Sequence, residues 1–410
     1  VCVIRGFAVM GTELLTDVRR EGETETAIPL SVPDISGNEW SYVKECLDTG
    51  WVSSAGKYVS LLEERICGVV GVRYATACAS GTAALQIALQ IAGVQAGDEV
   101  VVPTMTFIAT ANAVRYLNAE PVFADCDEYY NIDVEKTVRF MERETVWRNG
   151  YSWNRRTGRR VSAIVPVHVF GNAVDMERLL DVCRVRNIRV IEDAAESLGS
   201  FYTQGALEGR FAGAVGDIGC YSFNGNKIVT AGGGGMIVTN DASYAERARY
   251  LTTQAKDDAV RYVHDEVGYN LRLTNLQAAV GVAQLERLGE YIEVKKRNYR
   301  LYAEVLEGIE GLSLGGVPGY ADCNHWFYCL RVEAERYGMD RDGVMSLLGG
   351  AGIEARPVWY LNHWQKPYSG CAAYCIEEAP RLWSMTLNIP CSVGLTADGI
   401  GRVADVLRRK

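Results

Sequence analysis

Lys227 closes the run Cys220-Tyr-Ser-Phe-Asn-Gly-Asn-Lys227, and four consecutive glycines, Gly232 to Gly235, come soon after. A lysine among short polar residues can be held by its backbone while its amine points into a cleft. Nearby glycines let the chain approach a ligand where a side chain would block it. Two chemistries use a lysine in such company: phosphate cradling and Schiff-base formation. The first fails on spacing, because G-x-x-x-x-G-K-[ST] is not met when Asn226 and Ile228 flank Lys227. The second needs a desolvated amine and a carbonyl partner, and pyridoxal phosphate is the common one. Taken alone, the stretch also reads as a loop lysine beside a glycine hinge.

Other residues carry compatible chemistry, each with a plainer alternative. Asp193 ends the apolar run that starts at Ile188, and ligands of open α/β sheets bind beyond the carboxyl ends of strands. A carboxylate there can face a protonated pyridine nitrogen; it can equally cap the adjoining Ala-Ala-Glu-Ser turn. Ser80-Gly81-Thr82 at a helix start offers N–H groups and hydroxyls to a phosphate, or serves only as an N-cap. Phe107, after another strand, can stack on a ligand ring or pack in the core. His168 and His325, on apolar segments, read as core histidines.

The elements that must position these residues emerge from periodicity. The segment from Arg160 to Asp193 reads as strand (Val161 to Val167), amphipathic helix (Val174 to Val185) and strand (Ile188 to Asp193). That is a βαβ unit, which implies parallel strands covered by helices in one open α/β sheet. Further strands are expected at Glu99 to Val102, Glu120 to Ala124, Met236 to Thr239 and His325 to Val332. Helices are expected at Asn38 to Thr49 (capped by Ser36), Tyr58 to Val69, Ala83 to Ala92 and Ile108 to Leu117. One long helical region, Asn275 to Leu306, looks like a connector; helices at Asp340 to Ala351 and from Ala397 complete the pattern. Arg148 to Arg160 is a basic, aromatic insertion that reads as a hairpin or flap, and Val1 to Thr26 as an irregular arm.

A chain of 410 residues has ample material for a large core and about two domains. The net charge of −9 argues against nucleic acid or an anionic membrane as the main partner, so an anionic substrate needs a locally basic pocket. Twelve cysteines contain no C-x-x-C pair, so no metal site is expected, and their scatter through apolar segments fits a reducing cytoplasm. No signal-peptide layout is visible. The uncharged stretch from Tyr74 to Gly97 carries three glutamines and fits a buried helix of a soluble protein better than a membrane span.

The order of the motifs is more specific than any one of them. Ala79-Ser-Gly-Thr-Ala-Ala-Leu85, Pro103 to Thr110, Ile191-Glu-Asp-Ala-Ala-Glu-Ser197, Tyr221 to Lys227 and Gly268 to Ala279 together resemble the DegT/DnrJ/StrS sugar aminotransferases. The resemblance covers about Ile28 to the C-terminus. It implies a fold-type-I, pyridoxal-phosphate-dependent transferase: a large domain (31–285) with a mixed, mostly parallel seven-stranded sheet between helices, a small α+β domain (286–410), and an N-terminal arm (1–30). It also implies roles. Lys227 looks like the Schiff-base lysine and proton shuttle, and Asp193 like the partner of the pyridine nitrogen. Phe107 matches the ring-stacking residue, and Ser80, Gly81, Thr82 and Ser222 the phosphate-binding groups. Asn270 matches an asparagine lent to the neighbouring subunit's cofactor phosphate, which implies a homodimer with shared sites. Glu196 departs from the glutamine many members carry beside the cofactor hydroxyl.

Two stretches, Gly352 to Tyr368 and Leu387 to Thr396, together with the insertion Asn149 to Arg160, are similar to the legionaminic-acid-pathway branch. That branch implies amination at C4 of a UDP-linked 4-keto-6-deoxy-N-acetylhexosamine. Glutamate would load the cofactor as pyridoxamine phosphate in a ping-pong cycle. Arg356, His363 and Asn224 are then candidate substrate contacts, with a structural salt bridge and a core imidazole as the alternatives for the first two. Rival readings are a keto-sugar dehydratase, whose members replace the lysine present here, and a non-catalytic regulator, which needs no intact lysine, aspartate and phosphate turn. A nicotinamide oxidoreductase wants G-x-G-x-x-G after an early strand, and none is so placed.

Overall fold

The computed structural model describes residues 27–258 and 260–409; most of the expected arm lies outside them. The central sheet has eight strands, one more than the seven expected. Their order across the sheet is Tyr74–Cys78, Gly235–Thr239, Ile218–Ser222, Arg189–Asp193, Val161–Ile164, Glu99–Pro103, Glu120–Ala124 and Ala372–Tyr374. Only Gly235–Thr239 runs against the others. The parallel strands therefore finish on one edge, and Cys78, Pro103, Asp193 and Ser222 all point the chain toward it. Every residue of Glu99–Pro103 is buried, as expected of a parallel strand covered on both faces.

The additional strand comes from far along the chain. Ala372–Tyr374 pairs with Val122–Ala124. Asp125, just past that partner strand, anchors the turn that leads from the added strand into the helix Glu378–Met385. Its buried carboxylate accepts the amides of Glu377, Glu378 and Ala379, each at 2.9 Å, and the Lys136 ammonium at 2.6 Å. Burial alone would raise the Asp125 pKa, but Lys136 and the three amides bring it below the usual carboxylate value.

A second, antiparallel sheet is ordered Leu312–Leu314, Tyr328–Val332, Thr386–Ile389 and Arg356–Pro357. It packs on the helices Leu288–Leu306, Arg341–Gly350 and Ala397–Arg408 through Tyr302, Tyr328, Leu348 and Leu407. The expected long helix is two, Asn275–Leu285 and Leu288–Leu306, broken at Glu286 and Arg287. The first helix starts at Glu39, and Ser36 does not cap it; the Ser36 hydroxyl accepts from Arg287 instead. Tyr74–Cys78 forms a strand that was not expected from the sequence. The insertion is a hairpin, Thr145–Arg148 with Tyr151–Asn154, turned by Asn149 and Gly150 at φ 54° and 81°. Positive φ at both central residues suits a two-residue turn between twisted strands. Among the described residues no helix is long and apolar enough to cross a membrane.

Replacing Asp125 with Ala leaves three amides and a lysine without their acceptor. We expect a loss of about 3–5 kcal/mol in denaturant unfolding at neutral pH. Because the folded pKa is lowered, the wild-type advantage should persist above the usual carboxylate range and fade as the pH falls below it.

Candidate active site

The sheet edge where the parallel strands end opens into a cavity of about 540 Å³. At one end, Ser80 caps the helix Gly81–Ile91, its hydroxyl accepting from the Ala83 amide at 3.1 Å. The amides of the first helical turn have no intrahelical acceptor, so this end suits an anion. Ser222, the last residue of its strand, stands against it: a Cβ on Gly81 would lie 2.8 Å from that of Ser222. Gly234, at φ 114°, and Gly235 complete the fit, since a Cβ on Gly235 would collide with the Ser80 carbonyl. The glycine run thus lets three backbone segments converge on one spot.

Asp193 lies on the cavity wall, 5% exposed. The strand end is tied by its amide to the Pro166 carbonyl at 2.9 Å, and its carbonyl accepts from the His168 amide at 3.1 Å. The carboxylate accepts from the Thr110 hydroxyl at 2.7 Å and the Ala195 amide at 3.2 Å. Burial raises its pKa, against the pull of Thr110, Ala195, Lys227 and His168. A cation brought beside it would relieve that cost.

Lys227 lies beyond the strand Ile218–Ser222 in a turn closed by a hydrogen bond from its amide to the Asn224 carbonyl at 3.0 Å. Its ammonium lies 3.4 Å from Glu196 Oε1 and 3.9 Å from the centroid of the Trp326 ring. Glu196 is buried, and its other oxygen accepts the Phe170 amide at 2.8 Å. Burial pushes its pKa up to about 7, although Lys227 and the Phe170 amide pull it down.

The remaining expected residues divide. Thr82, Phe107, Asn224 and Arg356 line the cavity; Phe107 is 55% exposed at its mouth, and Arg356 pairs with Glu354 at 2.7 Å on the rim. His363 lies outside the cavity lining, its Nδ1 2.6 Å from the Thr104 hydroxyl, where burial lowers its pKa. It anchors the loop that carries Phe107. Asn270 is exposed and outside this cavity, beside Arg272. His168 is fully buried, with Nδ1 accepting from the Val174 amide and Nε2 2.9 Å from Glu192 Oε2. Thr110, Trp326 and Asn324 were not singled out from sequence, since each acts on a residue distant in the chain.

Residues 33–408 match the DegT/DnrJ/EryC1/StrS aminotransferase family. The chain belongs to that family. It is similar to the GDP-perosamine synthase of Caulobacter vibrioides, 38% identical over 387 residues spanning 93% of this chain and 97% of the relative. It is 35% identical over 351 residues to the UDP-N-acetyl-3-dehydro-alpha-D-glucosamine 3-aminotransferase of Acidithiobacillus ferrooxidans, covering 85% of this chain and 87% of the relative. DesI, solved in the presence of its TDP-sugar product, superposes with a TM-score of 0.82 at 30% identity, over 94% of this chain and 93% of the other.

A Bacillus subtilis relative, 36% identical over 93% of this chain and 95% of its own length, is named as a pyridoxal phosphate-dependent aminotransferase, and this aminotransferase is an enzyme that depends on that cofactor. The cavity fits that cofactor by the chemistry of its donors. An anion-binding helix start lies at one end, a buried carboxylate suited to a protonated ring nitrogen lies on the wall, and an amine points in from a third side. When bound, the cofactor supplies an aldehyde that carries the amino group and a ring that takes up the charge of deprotonation.

Between the ordinary glutamate range and about 7, the folded chain holds the Glu196 proton more tightly than the unfolded chain does. Stability therefore falls as pH rises across that window. Glu196→Gln removes this dependence, so the variant's melting temperature, measured without cofactor, should gain on wild type between pH 5 and pH 8.

Proposed function

We propose that this aminotransferase passes an amino group from L-glutamate to C4 of a nucleotide-linked 4-keto-6-deoxy sugar. We infer that the sugar is a UDP-linked 2-acetamido-2,6-dideoxy-4-keto-hexose, made for surface glycan or nonulosonic (legionaminic-type) acid. The observation that carries the reaction class is the convergence of the helix start at Gly81, Asp193 and Lys227 on a single cavity. The relatives named for GDP-, UDP- and TDP-sugars support a nucleotide-linked substrate. The sugar and nucleotide rest on the resemblance of the stretches 352–368 and 387–396.

In this reading Gly81, Thr82, Ser80 and Ser222 hold the cofactor phosphate, and Phe107 covers one ring face. Asp193 holds the ring nitrogen protonated. Lys227 would be the amine that holds the cofactor aldehyde, and the same amine would serve to move a proton at the reacting carbon. Arg356 and Asn224, on the rim, face the substrate. Asn270 acts from a second copy of the chain, which suits its exposed place off its own cavity, and makes the working unit a homodimer with symmetric sites. The cytoplasm is the fitting compartment, since the eleven cysteines among the described residues are all free.

The test is turnover. With glutamate as donor, the UDP-linked 4-keto sugar should yield its 4-amino product, detected by mass, faster than its GDP-linked counterpart. Preference for the GDP sugar would move the assignment to that nucleotide, and no amination of either would end it. Asp193→Asn should keep the cofactor bound but raise the barrier by about 3 kcal/mol, roughly a hundredfold in kcat.

A further inference from the structure

Lys227 is held from two sides by groups that the sequence separates widely. Glu196 Oε1 lies 3.4 Å from its ammonium, and the Trp326 ring centroid 3.9 Å away. A desolvated ammonium over an indole face is an attractive arrangement in its own right. Trp326 is bonded at its indole nitrogen and at both backbone polar atoms. Its Nε1 donates to the Asn226 carbonyl at 2.7 Å, one residue before the lysine. The Trp326 amide donates to Asn324 Oδ1 at 2.9 Å, and the Trp326 carbonyl accepts from the buried Lys295 ammonium at 2.9 Å.

Asn324 is fully buried and reaches the other partner too. Its Nδ2 donates to the carbonyls of Glu196, at 2.8 Å, and Leu198, at 3.0 Å. One side-chain amide thus sets the backbone of both groups that hold the lysine. Such buried, fully bonded polar networks fix a single geometry. The strand Ile218–Ser222 and the turn at Lys227 also close through backbone bonds of their own.

We propose that Trp326 is a positioning residue for Lys227: its ring and Glu196 form a docking place for the ammonium whenever the lysine is not bonded to the cofactor, and Asn324 places both. This rests on Lys227 being the cofactor-bonding amine. During each cycle the lysine is released and must stay within reach of the reacting carbon. A flexible four-carbon chain would otherwise sample the whole cavity. The dock holds the ammonium between a carboxylate and a ring face, with Asp193 also on the cavity wall and the Lys295 ammonium behind Trp326.

The cofactor-free protein tests this by NMR on carbon-labelled lysine, with the Lys227 signal assigned by its loss in Lys227→Arg. Protons above an indole face are shielded, so the Lys227 ε-methylene should resonate upfield of ordinary lysines. Trp326→Leu should abolish that shift, Trp326→Phe should keep part of it, and Asn324→Ala should reduce it. A reagent that labels neutral amines should modify Lys227 about tenfold faster in Trp326→Leu than in wild type. An ordinary Lys227 signal in the wild-type protein overturns the proposal, and this reading requires only the assignment variant, Lys227→Arg, to fold. Equal labelling rates in a folded Trp326→Leu also overturn it, and a shift unchanged by Asn324→Ala removes Asn324 from it. Because no cofactor is involved, a failure of Lys227 to bond the cofactor would sink the functional reading while leaving the shielded signal in place.

Discussion

Two buried carboxylates face one ammonium across this cavity, and the rest of the site depends on how that imbalance is met. Asp193 and Glu196 are both raised by burial, and Lys227 lies against Glu196 alone. Among the described residues, the Asp193 carboxylate has a threonine hydroxyl and one amide within bonding distance. In a low-dielectric wall such a carboxylate calls for a cation, and a protonated pyridine nitrogen is one of the right size. The opposite need is met at the far end, where a helix start and a converging glycine run await an anion. The site thus asks for a flat molecule, cationic at one edge and anionic at the other.

The parallel sheet is what brings these demands together. Strands that run in one direction deliver Cys78, Pro103, Asp193 and Ser222 to a common edge. The single reversed strand, Gly235–Thr239, starts at that edge, so its glycines meet Ser80 and Ser222. The C-terminal part contributes from above. Trp326 and Arg356 reach the cavity from the antiparallel sheet region, while the added strand and the Asp125 bonds hold that part down.

Much of this was legible in the residues. The βαβ unit ending at Asp193 was readable because its strands are apolar runs with a helical period between them. Lys227 and its glycines stood out through local composition, and the hairpin or flap through the basic, aromatic character of the insertion. Tyr74–Cys78 escaped notice because alanines alternate with its strand-favouring Tyr74 and Thr76, and Ala372–Tyr374 because three residues make no period. The supporting residues were hidden for a different reason. Thr110 lies 83 positions from Asp193, and Asn324 128 from the Glu196 it holds. Only the fold makes them neighbours. Ser36 was misplaced because a polar residue near an expected helix start was credited with capping it, when its hydroxyl instead pairs with Arg287.

The central claim is that this fold presents one amine, Lys227, to the cofactor aldehyde. Borohydride makes a lysine–aldehyde bond permanent, so reduction of the cofactor-loaded protein and then peptide mass mapping test it directly. The account predicts that the visible absorption of the bound cofactor is lost and that the pyridoxyl group is found on the peptide containing Lys227. Attachment at another lysine, or none in a protein saturated with cofactor, would contradict it.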